Sequence, residues 1–211
     1  MINENWYPAL LAYLRNFEQE MPAEFDSLLF SRLSEPVRYD KDTLVLKPGD
    51  IADMAYWPIA GYIRTYVEYK PEQDREHNKQ QTIGISIPGK VSLPANSFMN
   101  QTASAYFMEI SRGSIMVGFR HEAFIELGKQ MPEVFVLASQ IIAKEDEERN
   151  FERKMRAARK AVGYAMFLDH FNPVVESFVL LKDIATFIGM RDETLSRIRT
   201  AGGYGDAHLR K

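Results

Sequence analysis

Four polar residues near the C-terminal end have side-chain types and a spacing suited to hydrogen bonding on one surface. They recur at positions i, i+3, i+4 and i+7 of a predicted helix: Glu193, Ser196, Arg197 and Thr200. Leu195 and Ile198, three residues apart, face inward on the same helix. Arginine can donate two hydrogen bonds to guanine, glutamate can accept from the cytosine amino group, and serine can do either. The pattern therefore predicts a helix face whose chemistry suits base edges.

A second predicted helix precedes this one and is separated from it by Gly189. Its apolar stripe consists of Ile184, Ala185 and Ile188, and the small Ala185 allows another helix to approach closely. Two short helices joined across a glycine are typical of a helix-turn-helix, whose second helix lies in the DNA major groove. An ordinary helical hairpin on the surface of another fold is the alternative.

The composition indicates a globular protein and excludes several kinds of chemistry. The chain has 211 residues, 45% of them hydrophobic, which is enough for one large or two modest domains. The absence of cysteine excludes disulfides, thiolate-held iron–sulfur clusters and Cys-based zinc sites, and favours a reducing cytoplasm. We find no secretory signal pattern at the N-terminus and no apolar stretch near the roughly 18 residues of a membrane span. We therefore expect a soluble cytoplasmic protein with no membrane partner.

Charge is distributed unevenly along the chain. The formal net charge is −3, but residues 151–211 contain 11 Lys and Arg against 7 Asp and Glu, a net charge of +4. Residues 1–150 contain 15 against 22, a net charge of −7. The basic excess lies in the part that carries the predicted helix pair, as binding to phosphates requires.

The N-terminal two thirds of the chain combine short helices with β-strands. Apolar spacing predicts one helix over residues 6–17 and a second that starts near Pro22 and runs to Leu33. Seven short β-type runs follow, separated by turn residues: VRY, TLVL, MAYWPI, YIRTYVEY, QTIGISI, AYFMEI and SIMVGF. Strands of this number and spacing favour an antiparallel barrel or jelly roll.

Helices return after the last strand. One is predicted over residues 121–127, and a longer helix starts at Pro132. The apolar face of the long helix comprises Val134, Leu137, Ala138, Ile141 and Ile142. A helix unbroken to about Lys160 exceeds what its own domain can cover, so part of it is predicted to meet a second copy. A helix that only caps the β domain is the alternative. The helical pattern continues to His170, and residues 174–181 are predicted as a link with at most one strand.

A β-rich domain, a long connecting helix and a C-terminal helix-turn-helix resemble the Crp/Fnr family of bacterial transcription regulators. The segment LKPGDIADMAYWPIAGYIRTY (46–66) is similar to the strand-turn-strand signature of the family, and IPGKVSLP (87–94) lies where the family has its ligand cassette. The run ETLSR (193–197) matches the recognition-helix pattern E-T-x-S-R of the Fnr-like branch. The resemblance implies an α+β fold: an N-terminal jelly-roll-like β-roll with flanking helices, a long dimerisation helix, and a winged-helix-like helix-turn-helix domain.

The resemblance implies roles for residues around the helix pair. It places Arg197 on a guanine, Glu193 on a cytosine amino group and Ser196 on a neighbouring base or phosphate. The full predicted DNA-binding set is Lys182, Arg191, Glu193, Thr194, Ser196, Arg197, Arg199 and Thr200. Within it, Lys182, Arg191 and Arg199 would contact phosphates and orient the helix. Asp192 departs from the cyclic-AMP-responsive branch, which has a basic residue there, and its carboxylate would repel phosphate.

The ligand cassette also departs from the cyclic-AMP-binding pattern. Residues 91–93 read VSL where the family has Gly-Glu-Leu, and residues 91–111 contain no Arg to neutralise a cyclic phosphate. We therefore expect weak or no cyclic-nucleotide binding. The candidates for an unidentified polar or amphipathic effector are Gly89, Ser92, Leu93, Asn96, Asn100, Gln101 and Thr102. The alternative is that the polar members are loop residues of a vestigial pocket.

No cofactor, metal site or enzymatic constellation is predicted. Haem could bind only through His77, His121 or His170, and isolated histidines are more often packing or surface residues. A cupin-type metal site needs clustered His and Glu ligands, whereas the four histidines are scattered. The motifs GxxxxGK[ST], HExxH and GxSxG are missing. We therefore do not expect an enzyme.

The sequence as a whole predicts a homodimeric transcription regulator in three parts. These are a β-roll sensor (1–130), a dimerisation helix (131–158) and a helix-turn-helix domain (159–211). A two-fold dimer implies a near-palindromic operator in double-stranded DNA. The resemblance also implies RNA polymerase as a further partner, although the sequence locates no surface for it. The alternative is a Crp-like module that senses a small molecule or a protein and no longer binds DNA.

Overall fold

A computed structural model of the chain describes residues 5–18, 20–70 and 79–201. The chain forms two compact units, one from Met1–Thr65 and Ile85–Glu147, the other from Tyr66–Gly84 and Glu148–Lys211. The predicted boundaries at residues 130 and 158 remain a prediction. No helix in the described ranges is long and apolar enough to cross a membrane.

In the described part of the chain, seven strands form two sheets, and all seven predicted β-type runs are confirmed. The strands are β1 (Val37–Arg38), β2 (Thr43–Leu46), β3 (Met54–Ala60), β4 (Ile63–Tyr69), β5 (Lys79–Ser86), β6 (Phe107–Ile110) and β7 (Ile115–Arg120). One sheet has the order β1-β7-β3 and the other the order β2-β6-β4-β5. Strand β7 is antiparallel to both β1 and β3, and β2 is antiparallel to β6. This is the antiparallel β-roll that the strand spacing predicts.

Helices pack on the core of the first unit. They are α1 (Trp6–Arg15), α2 (Phe25–Phe30), α3 (Ala95–Asn100), α4 (His121–Gln130) and the start of α5 (Glu133–Ala157). The most deeply buried core residues include Ile63, Ile110, Met116 and Leu127. Helix α2 is shorter at both ends than the predicted span from Pro22 to Leu33. Four of the five residues predicted for the apolar face of the long helix are buried in the core: Val134, Leu137, Ala138 and Ile141. The fifth, Ile142, is half-buried.

The long helix is unbroken from Glu133 to Ala157, close to the predicted end near Lys160, but the helical pattern that was predicted to continue to His170 is interrupted there. Arg159 is extended (φ −57°, ψ 141°), and α6 (Lys160–Phe171) begins after it. A Cβ at Gly163 would lie 2.7 Å from the Met155 carbonyl oxygen. The break therefore lets two consecutive helices approach to backbone contact, which a straight helix would not allow.

The C-terminal helices of the second unit follow α6. A 3-10 helix spans Pro173–Ser177, and then come α7 (Leu181–Ile188) and α8 (Asp192–Ala201). The single strand that the sequence analysis considered between residues 174 and 181 is absent there. Instead, Asn172 Oδ1 accepts a hydrogen bond from the Val174 N–H at 3.1 Å and caps the start of the 3-10 helix. The predicted frayed tail lies, apart from Ala201, outside the described residues.

Candidate nucleic-acid interface

The two helices predicted around Gly189 are confirmed, and the glycine ends the first. Gly189 has φ +77°, the left-handed conformation that glycine adopts without steric cost. Its N–H donates to the Thr186 carbonyl and the Met190 N–H to the Ala185 carbonyl. Lys160 Nζ donates to the Gly189 carbonyl at 2.7 Å, which places a positive charge at the C-terminal end of α7.

The inward side of the helix pair is buried except at Ile198, which is half-buried. Ile184, Ala185 and Leu195 each have 0% exposure, so the predicted stripe and the first inward anchor of α8 are both in the core. The Phe187 ring lies 5.9 Å from the Phe167 ring, edge to face. Burial of one side of α8 determines which side remains available to a partner.

The residues predicted to contact bases are exposed to solvent on the outer side of α8. Glu193, Ser196, Arg197 and Thr200 are exposed, and Thr194 is half-buried. Among the described residues, neither Glu193 nor Arg197 forms an ion pair. The carboxylate, hydroxyl and guanidinium of this face are therefore available to an external partner.

Residues predicted to contact phosphates fall into two groups. Lys182, at the start of α7, and Arg191, just before α8, are exposed. Arg199 is different: its Nε lies 3.0 Å from Glu176 Oε1, and its side chain is only 29% exposed. Its guanidinium therefore already forms an ion pair inside the unit.

Asp192 is the first residue of α8 and is exposed. Its Oδ1 accepts the Glu193 N–H at 3.2 Å. A carboxylate at a helix N-terminus is favoured by the partial positive charge of the free N–H groups. The residue that departs from the cyclic-AMP-responsive pattern therefore has a local structural role in starting α8.

A buried polar triad connects α8 with α6 and the 3-10 helix, and the sequence did not reveal it. Tyr164 Oη donates to Glu176 Oε1 at 2.5 Å, and Arg199 approaches the same oxygen. Burial and the hydrogen bond to Glu176 raise the pKa of Tyr164, so the phenol stays protonated and remains a donor at neutral pH. In the sequence, these are three polar residues among apolar helical positions. That pattern does not indicate that they contact one another.

Arg156 is a second unpredicted anchor of the helix pair. Its Nε donates to the Phe187 carbonyl at 2.8 Å, and its Nη2 donates to the Ile83 carbonyl at 3.1 Å. The guanidinium also lies 4.9 Å from the centre of the Phe187 ring. Burial lowers the pKa of Arg156 from its ordinary value, yet an arginine remains charged at neutral pH. One side chain therefore links the end of α5, strand β5 and helix α7.

Strand β5 contacts the first helix of the pair a second time. The hydroxyls of Thr82 and Thr186 are 2.8 Å apart, and Thr82 is fully buried. Thr186 Oγ1 also hydrogen-bonds to the Lys182 carbonyl at 3.0 Å. Strand β5 is therefore part of the support for α7, although it lies about 100 residues away in sequence.

The predicted effector residues cluster around α3, but most of the polar ones form hydrogen bonds within that segment. Asn100 Nδ2 donates to Asn96 Oδ1, Gln101 Nε2 to the Ala52 and Phe98 carbonyls, and Thr102 Oγ1 to the Asn96 carbonyl. These four side chains are exposed, as is Gly89. The buried Ser92 exchanges backbone hydrogen bonds with Tyr56. Leu93, by contrast, is among the residues that line an apolar cavity.

The described histidines lie against aromatic rings. His121 contacts the Phe98 ring edge to face, and His170 stacks on Phe151. Across residues 5–18, 20–70 and 79–201, no three His, Asp or Glu side chains are grouped so that they could hold a metal ion. His77, the third residue considered for haem, lies outside the described residues.

Comparisons with known proteins identify the fold. No family model and no curated protein matches the chain. A putative Crp/Fnr transcriptional regulator from Eubacterium rectale aligns with a TM-score of 0.64 at 14% identity, over 95% of this chain and 88% of its own. FixK2 from Bradyrhizobium japonicum aligns with a TM-score of 0.63 at 16% identity, over 81% of this chain and 84% of its own. The Thermus thermophilus catabolite activator protein aligns with a TM-score of 0.51 at 18% identity, over 91% of this chain and 87% of its own. The chain therefore has the Crp/Fnr fold, as its motifs predicted.

Proposed function

We propose that this chain, which has the Crp/Fnr fold, is a sequence-specific DNA-binding transcription regulator that acts as a cytoplasmic homodimer. The observation that carries the proposal is the orientation of α8. Leu195 is fully buried, while Glu193, Ser196 and Arg197 are exposed on the opposite side. A helix with this distribution can enter a major groove with its polar side and remain anchored by its apolar side.

Base readout is assigned to three side chains of this exposed face. Arg197 would donate to guanine O6 and N7, Glu193 would accept from a cytosine amino group, and Ser196 would bond to a neighbouring base or phosphate. Thr194 and Thr200 lie beside them on α8. Specificity of this kind depends on side chains that stay in place, which the buried partners of α8 support.

Phosphate binding is assigned to Lys182 and Arg191. Both residues are exposed. Lys182 is the second residue of α7, and Arg191 immediately precedes α8. Arg199, which the sequence analysis grouped with them, is assigned instead to positioning α8, because it is paired with Glu176. Phosphate contacts orient a protein on the duplex without specifying its sequence.

Replacing Lys182 with alanine should reduce the salt dependence of DNA binding. Each neutralised phosphate contributes a slope of about −0.9 to the plot of log K against log salt concentration. We expect the slope to become shallower by about that amount per subunit, with sequence preference unchanged. The measurement is fluorescence anisotropy with a fixed duplex at several salt concentrations. The exposed Lys41 of the other unit provides a matched control, since Lys41→Ala removes the same charge.

The same titration distinguishes the proposal from its rival. A module that senses a small molecule or a protein and no longer binds DNA would give no saturable binding at low salt. The acidic pI of about 5.9 makes this rival worth testing. Identical slopes for the parent, Lys182→Ala and Lys41→Ala would remove Lys182 from the interface.

A dimer is proposed through α5. Positions 136, 139 and 143 of this helix have the i, i+3, i+7 spacing of a coiled-coil seam, and they hold Val136, Ser139 and Ala143. Val136 is 50% exposed, while the neighbouring Leu137 is buried in the core of the first unit. Small residues at the other two positions allow a second helix to approach closely. Two-fold symmetry would then place two α8 helices about one DNA turn apart, on a near-palindromic operator.

Analytical ultracentrifugation should show a species of twice the 24.3 kDa chain mass at micromolar concentration. The Val136→Glu variant should be monomeric, because two carboxylates would face each other across the seam. Leu44→Glu introduces the same charge at another exposed apolar position, 47% exposed on β2, and should stay dimeric. A monomeric parent protein, or a dimeric Val136→Glu variant, would contradict the assignment of α5.

The first unit is proposed as the sensor, with an effector other than cyclic AMP. Residues 91–111 contain no Arg for a cyclic phosphate, and the polar side chains around α3 hydrogen-bond locally. RNA polymerase remains a partner expected from the family resemblance.

A further inference from the structure

The first unit contains an apolar cavity that none of the roles above uses. Its volume is about 100 Å³. The cavity is lined by helices α1, α2, α4 and α5, by strands β3 and β7, and by the segment that includes α3. Representative lining residues are Leu14, Leu29, Leu93, Phe98, Val117 and Leu137.

The lining of the cavity selects for an uncharged apolar occupant. Apart from the Tyr56 hydroxyl and the Trp57 indole nitrogen, every lining side chain is a hydrocarbon or a thioether. A phosphate or carboxylate would lose its hydration there and find no cationic partner. Water would also lack the polar partners that hold it in buried sites, whereas apolar cavities stay dry and accept benzene or xenon. The chemistry therefore excludes nucleotides and favours a small hydrocarbon-like molecule.

The size of the cavity points to the same occupant. Protein interiors are close-packed, with few voids larger than a water molecule. This volume is about two thirds of the roughly 150 Å³ of an engineered cavity that binds benzene. An empty space of this size destabilises a fold, and a matching ligand removes that cost.

One wall of the cavity can adapt to a ligand. Leu93, Phe98 and the half-buried Met99 line it from the segment around α3. Gln101 ends this helix in the left-handed region (φ 50°), which is uncommon for a residue other than glycine. Met99 is unbranched and adjusts to irregular shapes. A one-ring molecule can therefore be accommodated by rotation of a methionine side chain, with little change in the sheets.

The opposite wall is the proposed dimerisation helix. Val134, Leu137, Ala138 and Ile141 line the cavity from one face of α5, at the spacing i, i+3, i+4 and i+7. A molecule in the cavity would contact this helix along two turns, on the side away from the exposed Val136. Occupancy could thereby affect the helix that pairs the two subunits.

We propose that this cavity is a binding site for a small uncharged apolar molecule of about one aromatic ring, and that α5 forms the wall that senses it. The regulatory part rests on the proposed function, whereas ligand binding does not. This assignment replaces the polar effector site predicted around Ser92 and Asn96 with an apolar one next to it.

The test is a titration of the full chain with benzene, in the absence of DNA, followed by NMR of ¹³C-labelled methyl groups. We expect saturable shifts at the methyl groups of Leu14, Leu137 and Ile141, and none at the exposed Leu44 and Val162. Cyclic AMP, the control compound, should shift none of the cavity methyl groups. Benzene shifts that grow linearly without saturation, or that are equal at exposed and cavity methyl groups, would overturn the proposal.

Two cavity-filling variants make the result specific. Ala138→Leu adds three carbon atoms to the lining and should weaken benzene binding by about tenfold or more, because the space is occupied. Val117→Ile adds one carbon atom, keeps the β7 backbone, and should weaken binding by a smaller factor even if Ala138→Leu does not fold. Parent-like affinity in both variants would place the benzene elsewhere. Because no DNA is present, failure here leaves the proposed DNA binding untested and intact.

Discussion

Replacing Arg197 with alanine is expected to weaken binding to the preferred operator by about 1 to 3 kcal/mol, or about 5- to 150-fold in Kd. The loss should be confined to specific binding, and discrimination should relax at one base pair of each half-site. The reason is that Arg197 is exposed on the polar side of α8 and lacks an ion-pair partner among the described residues. Its guanidinium can therefore form a two-hydrogen-bond contact with guanine at no internal cost.

Selection of duplexes from a random library, followed by sequencing, measures the relaxation directly. Arg197→Lys is the matched control, because it keeps the positive charge and loses the planar two-donor geometry. We expect the lysine variant to retain binding to random DNA and to lose most of the preference that the alanine variant loses. Unchanged sequence selection by Arg197→Ala would remove this residue from base readout. An equal loss of affinity for operator and for random DNA would indicate that Arg197 contacts phosphates instead of bases.

Replacing Glu176 with alanine is expected to lower the free energy of unfolding of the second unit by about 2 to 4 kcal/mol. Removal of one partner from a largely buried ion pair leaves the other charge uncompensated, which typically costs about 3 to 5 kcal/mol. The Arg199 side chain is 29% exposed and that of Glu176 only 10%, so solvent reduces this cost in part. Tyr164 would also lose the acceptor of its hydrogen bond.

Urea denaturation measures this loss, with three comparison variants. Tyr164→Phe removes only the hydrogen bond and should cost about 1 kcal/mol. Glu176→Gln keeps an acceptor and removes the charge, so it should fall between Tyr164→Phe and Glu176→Ala. Asp40→Ala breaks an exposed pair in which Arg38 and Asp40 are 66% and 87% exposed, and it should have almost no effect. If Glu176→Ala were as stable as Asp40→Ala, the triad would not hold α8 in place.

The two experiments address different parts of one interface. Arg197 is proposed to contact DNA, whereas Glu176 is proposed to act through Arg199 on the position of α8. At a temperature where it remains folded, Glu176→Ala should bind operator more weakly without changing which base pair is preferred. A change in preferred sequence would instead mean that α8 takes a different orientation in the variant.

Local patterns predicted most of the secondary structure correctly. All seven strands follow runs of β-branched and aromatic residues bounded by turn residues, and both helices of the pair lie on either side of Gly189. These signals are strong because they depend on neighbours within a few residues. The alternation of buried and exposed positions is determined by backbone geometry alone. The exposed face of α8 was predictable for the same reason.

Features that depend on distant partners were not predicted. The long helix ends at Ala157, and Gly163 then packs against the Met155 carbonyl, although helical periodicity in the sequence continues through that break. Arg199 resembled a phosphate-binding residue until its neighbour Glu176 was known. The pattern around Asn96 and Gln101 suggested a polar pocket, since the sequence does not show that these side chains hydrogen-bond locally.

The sequence by itself determined the order of the elements, the position of the helix pair and the residues that α8 exposes, because each follows from local periodicity and turn chemistry. Tertiary structure decided which charged groups remain available and what kind of molecule fits inside the first unit. Arg156 reaches Ile83 and Phe187 across more than 70 and 30 residues of sequence, and the cavity is formed by side chains from separate helices and strands. Pairing and enclosure arise only when distant segments meet, and no local pattern in the chain encodes which segments those are.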